Sequence, residues 1–239
     1  VLTDVDLLKR DALVRELGAK TAGSSLDAAR QGGTVLIAVK PKDMDALLAE
    51  IRPAFEAGAE RLLVSIAAGI PLARYEKALP SGTRVVRVMP NMGAMVGCGA
   101  AAYSLGRAAT KADGERTRTI FEAVGLVVEV AEDKMDAVTA LSGSGPGFLM
   151  LVIEALAAGG VAQGLDPNVA LRLAAKTLEG AGKIAVESGE SPEAIRRRVT
   201  SPGGTTEAGL KALEGGELKR LFGEAIRRAT ERGRKLGEG

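Results

Sequence analysis

Short apolar runs separated by helical stripes constrain this chain more than any other feature. Thr34–Val39 (TVLIAV) is one such run, Arg61–Ile66 (RLLVSI) a second, and Val85, Val86 and Val88 make a third. Runs without polar alternation are the mark of strands covered on both faces. Helical patterns lie between them. Leu7, Leu8, Leu13, Val14 and Leu17 mark one face of a helix that stops at Gly18, Met44, Leu47, Leu48 and Ile51 mark another, and Pro71 suits the first turn of a third. Val1-Leu2-Thr3 reads as the end of a strand. This alternation predicts a parallel, doubly wound α/β sheet. The pattern changes near residue 131. Beyond it Lys134–Leu141, Phe148–Gln163, Val169–Val186, Pro192–Val199, Thr206–Leu213 and Leu218–Leu236 all read as helices. Asp166-Pro167 and Ser191-Pro192 look like caps followed by proline in the first helical turn. The expected organisation is therefore an α/β domain over 1–131 and an all-α domain over 132–239.

Composition narrows the chemistry. The chain has no histidine, which removes His-based triads, bases and metal ligands together, and no metal site is expected. Its single cysteine, Cys98, has no internal partner, so a reducing, cytoplasmic compartment is the natural reading. Net charge is +2 and aromatics make up 3%, so neither nucleic acid nor a membrane surface is an expected partner. The apolar stretch Phe148–Ala162 carries Glu154 and a Gly159-Gly160 pair; it reads as a buried helix, too short for a bilayer span.

In an open α/β sheet, ligands bind where the strands end. Three strand ends carry small or turn-forming residues: Lys40-Pro41 in AVKP (38–41), Ala67-Ala68-Gly69 in SIAAG (65–69), and Met89-Pro90-Asn91 with a glycine-rich loop running to Gly99. Each alone is an ordinary tight turn; three in register point to a cofactor groove. Asp4, ending the first strand, stands where a dinucleotide fold places an acid on the adenosine ribose. Lys9 and Arg10 lie close by, either as partners of a 2′-phosphate or as a solvated helix face, so NADPH and NADH both stay open. Thr200-Ser201-Pro202-Gly203-Gly204-Thr205-Thr206 opens a helix, and the free amides of such a turn suit an anion such as a carboxylate. A capped helix after a Pro-Gly turn is the plainer reading. Leu141-Ser142-Gly143-Ser144-Gly145-Pro146 links two apolar helices and permits close helix approach.

AVKP at 38–41, SIAAG at 65–69, RVMPN at 87–91, DAVTALSGSGP at 136–146 and VTSPGGTT at 199–206 occur in this order along the chain. Together they resemble the pyrroline-5-carboxylate reductases over nearly its whole length, the last two motifs being the specific ones. The resemblance implies an α/β Rossmann-type doubly wound parallel sheet followed by an all-α dimerisation domain that interlocks with a second subunit. It implies reduction of 1-pyrroline-5-carboxylate to L-proline, with NADPH as usual donor and NADH as the alternative. It also implies a homodimer through the helical domain, or a larger homo-oligomer, with a substrate site drawing on two chains. Carried over by residue, Ala38, Val39, Lys40, Pro41, Ala67 and Ala68 border the dinucleotide, Ser25 falls near the adenosine, and Asn91 lies near the nicotinamide. Ser201, Gly204, Thr205 and Thr206 bind the substrate carboxylate, and the Thr206 hydroxyl meets the ring nitrogen as the catalytic group.

Two departures stand against that pattern. No G-x-G-x-x-G turn precedes or follows Val1, so the natural chain is expected to be longer by one β-turn-α unit of roughly 30 residues or fewer. And Asn91-Met92-Gly93 stands where the family commonly has Asn-Thr-Pro, which removes a hydroxyl and a rigid ring beside the nicotinamide. With no histidine and no evident buried acid, the imine is expected to arrive protonated or to gain its proton through water, with Thr206 orienting the nitrogen. The rival readings are a different cyclic-imine reductase of the same build, a hydroxyacid reductase, which the absence of lysine from the helix at 148–163 disfavours, and a non-catalytic dimeric scaffold that has lost its phosphate loop.

Overall fold

The structure, a computed structural model, describes residues 1–56 and 60–237. Residues 57–59 of the expected first domain and the last two of the second lie outside the described residues. By its internal contacts the chain divides into two units, Val1–Gly143 with Ala229–Gly239, and Ser144–Arg228.

The first unit is built on a five-stranded sheet of β1 (Thr34–Ile37), β2 (Leu62–Ser65), β3 (Arg84–Met89), β4 (Gly99–Leu105) and β5 (Gly125–Glu129), in that order across the sheet. β1, β2 and β3 are parallel, β4 is antiparallel to β3, and β5 is parallel to β4. The sheet is thus mostly parallel, as expected. The one antiparallel pair follows from the short link at 90–98, which leaves no room for the crossover that a parallel neighbour requires.

The period-two alternation of strand side chains divides the core into two layers. On one face Ile37, Leu63 and Val85 meet Met44, Leu48 and Ile51 of α3 (Met44–Ile51) and Leu72 and Tyr75 of α4 (Leu72–Ala78). On the other, Leu62, Val64, Val86, Val88, Ala101 and Tyr103 meet Phe121 of α5 (Lys111–Glu122). Two-sided burial holds for β2 and β3. It fails for β1, where Leu36 is 50% exposed, because that side chain points to the face opposite the one on which Ile37 packs against α3.

Ahead of the sheet, Leu2 forms an isolated parallel bridge with Thr21, its amide donating to the Lys20 carbonyl at 2.8 Å. α1 (Leu7–Leu17) is capped by the Asp6 carboxylate and closed by Gly18 at φ 60°. Its apolar stripe does not reach a core: none of its residues is buried. α2 (Ser25–Gln31) follows, capped by Ser24. Beyond β5, α6 (Met135–Val138) runs into a π-helical turn, Thr139–Gly143.

The second unit is helical, containing α7 (Gly145–Ala162), α8 (Pro167–Glu187), α9 (Pro192–Arg198) and α10 (Thr205–Gly215); α11 (Leu218–Gly237) begins in it. No strand follows residue 131 among the described residues. The two Pro-led starts are as expected: Asp166 accepts from the amides of Asn168 and Val169, and Ser191 from that of Ala194. α7 and α8 pack closely at Gly160, where a methyl group would lie 3.1 Å from Leu165 and 3.4 Å from Ala170. The expectation that α7 is buried is not met within one chain. Only Ile153 is buried, while Leu149, Met150, Leu151 and Leu156 stand between 44% and 65% exposed. The whole helical stretch 132–162 is also long and apolar enough, by length and composition alone, for a membrane span. An apolar helix without a polar face signals cover from outside the chain as well as within it.

Candidate active site

The parallel pairing of β1, β2 and β3 sets Ile37 beside Ser65 and Ser65 beside Arg87, so their carboxyl ends form one rim. The three segments singled out in the sequence all leave the sheet there. Ala38, Lys40 and Pro41 are exposed, Val39 packs against the core, and Pro41 starts a 3-10 turn. Ala67 is buried and Ala68 exposed. Gly69 turns the chain at φ 75°, a conformation open to glycine but strained for other residues. With side chains no longer than a methyl at three of these positions, the backbone is open to a flat ring or a pyrophosphate, so the rim fits a nicotinamide dinucleotide.

Under the rim lies a buried polar network that sequence reasoning did not single out. The Ser65 and Tyr75 hydroxyls are 2.7 Å apart. Burial pushes the Tyr75 phenol up, and the Ser65 bond partly offsets this. Arg87, 5% exposed, holds Glu132 at 3.3 Å and Asp136 at 3.9 Å. Glu132 also accepts from the Leu72 amide at 2.6 Å, which fixes the start of α4. The only signal in the sequence is a charged residue, Arg87, among the valines in the interior of a strand.

Asn91 stands at the end of β3 with most of its side chain engaged. Its Oδ1 accepts from the amides of Gly93 at 3.1 Å and Ala100 at 3.0 Å, and its Nδ2 donates to the Ser142 carbonyl at 3.0 Å. The structure also accounts for Met92-Gly93. A Cβ at Gly93 would collide with the Cys98 carbonyl, and the Gly93 amide is the donor to Asn91. A proline at 93 would lose that donor and add that collision, so the loop has its own shape here.

Near the start of the chain, the parallel bridge Leu2–Thr21 leaves Asp4 and Ser25, the two residues expected near the adenosine, beyond the same end of the pair. Asp4 Oδ1 accepts from the Asp6 amide at 2.9 Å. The Ser25 amide donates to Glu50 at 2.8 Å, so Ser25 offers a hydroxyl but no backbone donor. Arg10 is bound to Asp11 through both Nε, at 2.8 Å, and a terminal nitrogen, at 2.7 Å. That geometry favours the solvated-face reading for Arg10, while Lys9 stays exposed.

In the second unit, the turn 201–204 leads into α10. Gly203 has φ 71°, and the Gly204 amide closes the turn on the Ser201 carbonyl at 3.0 Å. A Cβ on Gly204 would collide with Ser201 Oγ. No side chain caps α10, so the amides at 205–207 keep no partner within the helix. Ser201, Thr205 and Thr206 are exposed, which brings two hydroxyls of the helix's first turn to the same end as those amides. Glu207 accepts from the Gly203 amide at 2.7 Å, and this bond above all, with Lys211 second, holds its carboxyl below the usual range.

A buried acid does exist: Asp113, 2% exposed. It forms the capping box of α5 with Thr110 and pairs with Arg84 at 2.9 Å, so structure consumes it. Among the described residues no group of three or more Cys, Asp or Glu is placed to hold a metal.

Comparison with known proteins accounts for both units. Residues 132–236 match the family model for pyrroline-5-carboxylate reductase dimerisation, and residues 2–69 match that for NADP oxidoreductase, coenzyme F420-dependent. A pyrroline-5-carboxylate reductase from Methanosarcina acetivorans is 44% identical over 226 residues, covering 95% of this chain and 83% of the relative. The solved pyrroline-5-carboxylate reductase from Coxiella burnetii superposes with a TM-score of 0.93 at 34% identity, over 97% of this chain and 86% of that one. The Plasmodium falciparum enzyme, solved with NADP bound, superposes with a TM-score of 0.81 at 30% identity, over 90% and 81% of the two chains.

Proposed function

This chain belongs to the pyrroline-5-carboxylate reductase family, and from that premise we propose how its residues divide the work of reducing 1-pyrroline-5-carboxylate to proline with NAD(P)H. When bound, NAD(P)H would supply the hydride that reduces the imine carbon of a protonated substrate. The rest is positioning, and aligning two rings is worth ~7 kcal/mol or more when the orientation is good.

In this reading Ala38, Val39, Lys40, Pro41, Ala67 and Ala68 border the dinucleotide, Asp4 and Ser25 meet its adenosine end, and Asn91 shapes the loop beside the nicotinamide. The turn 201–206 takes the substrate carboxylate on the α10 amides and on the Ser201 and Thr205 hydroxyls. The Thr206 hydroxyl orients the ring nitrogen. A protonated imine is already electrophilic, so a hydroxyl suffices where no histidine is present. The uncapped start of α10 beside three hydroxyl-bearing residues carries this assignment.

The protein forms homo-oligomers, and we place the interface of a homodimer on the exposed apolar faces of α7 and α8, over a domain taken as 132–239. A cytoplasmic location agrees with the lone cysteine. The assignment is tested by turnover of Thr206→Ala with pyrroline-5-carboxylate alongside direct titration of NADPH. Turnover falls while cofactor affinity holds; unchanged turnover removes Thr206 from the mechanism.

A further inference from the structure

We propose that Glu207 is a positioning residue for the substrate carboxylate, holding the 201–204 turn in the shape that presents the α10 amides; this rests on reading 201–206 as the carboxylate site. A Ser-Pro-Gly-Gly turn has little of its own to hold it. Gly203 sits at φ 71°, and glycine loses more freedom on ordering than any other residue. Within the turn one backbone bond closes the loop, from the Gly204 amide to the Ser201 carbonyl at 3.0 Å. Among the described residues Glu207 is the one side chain that bonds the backbone of this turn, its Oε2 accepting from the Gly203 amide at 2.7 Å.

The direction of that bond matters. An ordinary cap sits ahead of the helix and takes the amides of its first turn. Glu207 is the third residue of α10 and reaches back to an amide outside it, so the turn is tied down while the amides at 205–207 stay open for a ligand. A lone carboxylate here would repel the substrate's. Lys211, one turn along, lies 3.1 Å from Oε1 and offsets the charge.

The experiment compares Glu207→Ala, Glu207→Met and Glu207→Gln with the parent in steady-state reduction of pyrroline-5-carboxylate, together with product inhibition by L-proline. The bond lost in these variants is internal, so its effect on binding comes through re-ordering the turn, which at the worth of one hydrogen bond to a charged group amounts to about tenfold. The alanine and methionine variants should raise the KM for the imine, and the inhibition constant for proline, by about that factor, with kcat and the KM for NADPH nearly unchanged. Glutamine keeps an acceptor oxygen and should restore both constants to within about threefold. Folded alanine and methionine variants with parental constants would overturn the proposal, and so would failure of both to fold, which would make the role one of stability. Gly204→Ala separates this from the reading beneath it. If it raises the KM for the imine and the Glu207 variants do not, only the role of Glu207 fails. If neither does, the carboxylate site itself is misplaced.

Discussion

The side-chain amide of Asn91 donates to the backbone carbonyl of Ser142 at 3.0 Å, tying the loop after β3 to the π-helical turn that precedes α7. The same side chain accepts from Gly93 and Ala100, so one residue holds three backbone groups. Asn91→Ala leaves all three without this partner in a half-buried setting. It should destabilise the chain by about 1–3 kcal/mol, or roughly 2–10 °C in Tm. A thermal melt checks this; an unchanged Tm would show that water replaces the side chain at no cost.

Arg87→Met tests the network under the rim. The change removes the cation that faces Glu132 and Asp136 and leaves their carboxylates together. Breaking a buried pair by removing one partner costs about 3–5 kcal/mol. Both carboxylates keep some solvent contact, so about 2–4 kcal/mol is expected from a denaturant melt. Restoring stability with Glu132→Gln and Asp136→Asn in the same chain would show that unpaired charge, rather than lost packing, causes the loss.

The chain has two tyrosines and no tryptophan, which makes its ultraviolet titration simple to read. Burial raises both Tyr75 and Tyr103. A folded-state value above the unfolded one gives stability that is present below the unfolded pKa of about 10 and is lost as pH rises through the folded value. Near pH ~10 the native protein should therefore show far less tyrosinate absorbance than the unfolded chain, which is half ionised there. Equal absorbance would mean that these phenols are not buried in solution.

Placing charge on the outer face of α7 tests the interface. Leu149, Leu151 and Leu156 are exposed in the single chain. Leu151→Arg with Leu156→Arg should shift the protein toward monomer in sedimentation and suppress turnover with it, since unpaired charge in a buried interface costs several kcal/mol. An oligomer of parental size would move the interface elsewhere.

How much of this was legible in the sequence follows from what each element is made of. β1 and β2 carry β-branched and leucine runs and β3 a set of valines broken by Arg87, while α8 and α9 announce themselves by Asp-Pro and Ser-Pro caps. β4 is largely alanine and glycine (GAAAYSL), without the β-branched residues that mark a strand. Its direction depends on the length of a loop rather than on any side chain. α7 reads as buried because it is apolar all round, and no composition distinguishes burial within a chain from burial between two. At the site, SPGGTT was readable as an anion turn from its glycines and hydroxyls. Glu207 was not, because a glutamate in a first helical turn is usually just a favourable charge. Asn91 was expected beside the nicotinamide, and its bonds to Gly93, Ala100 and Ser142 depend on contacts far apart in sequence.

The central claim is that the turn at 201–206 holds the substrate by its carboxylate. The most direct test is the ratio of kcat/KM for pyrroline-5-carboxylate to that for its decarboxylated analogue 1-pyrroline, followed by loss of NADPH absorbance in the parent and in Gly204→Ala. Two or more charge-assisted hydrogen bonds amount to about 100-fold or more, so the parent should favour the carboxylate by at least that, and Gly204→Ala should lose most of the preference. A parent that reduces both imines equally well, or a preference untouched by Gly204→Ala, would contradict the account.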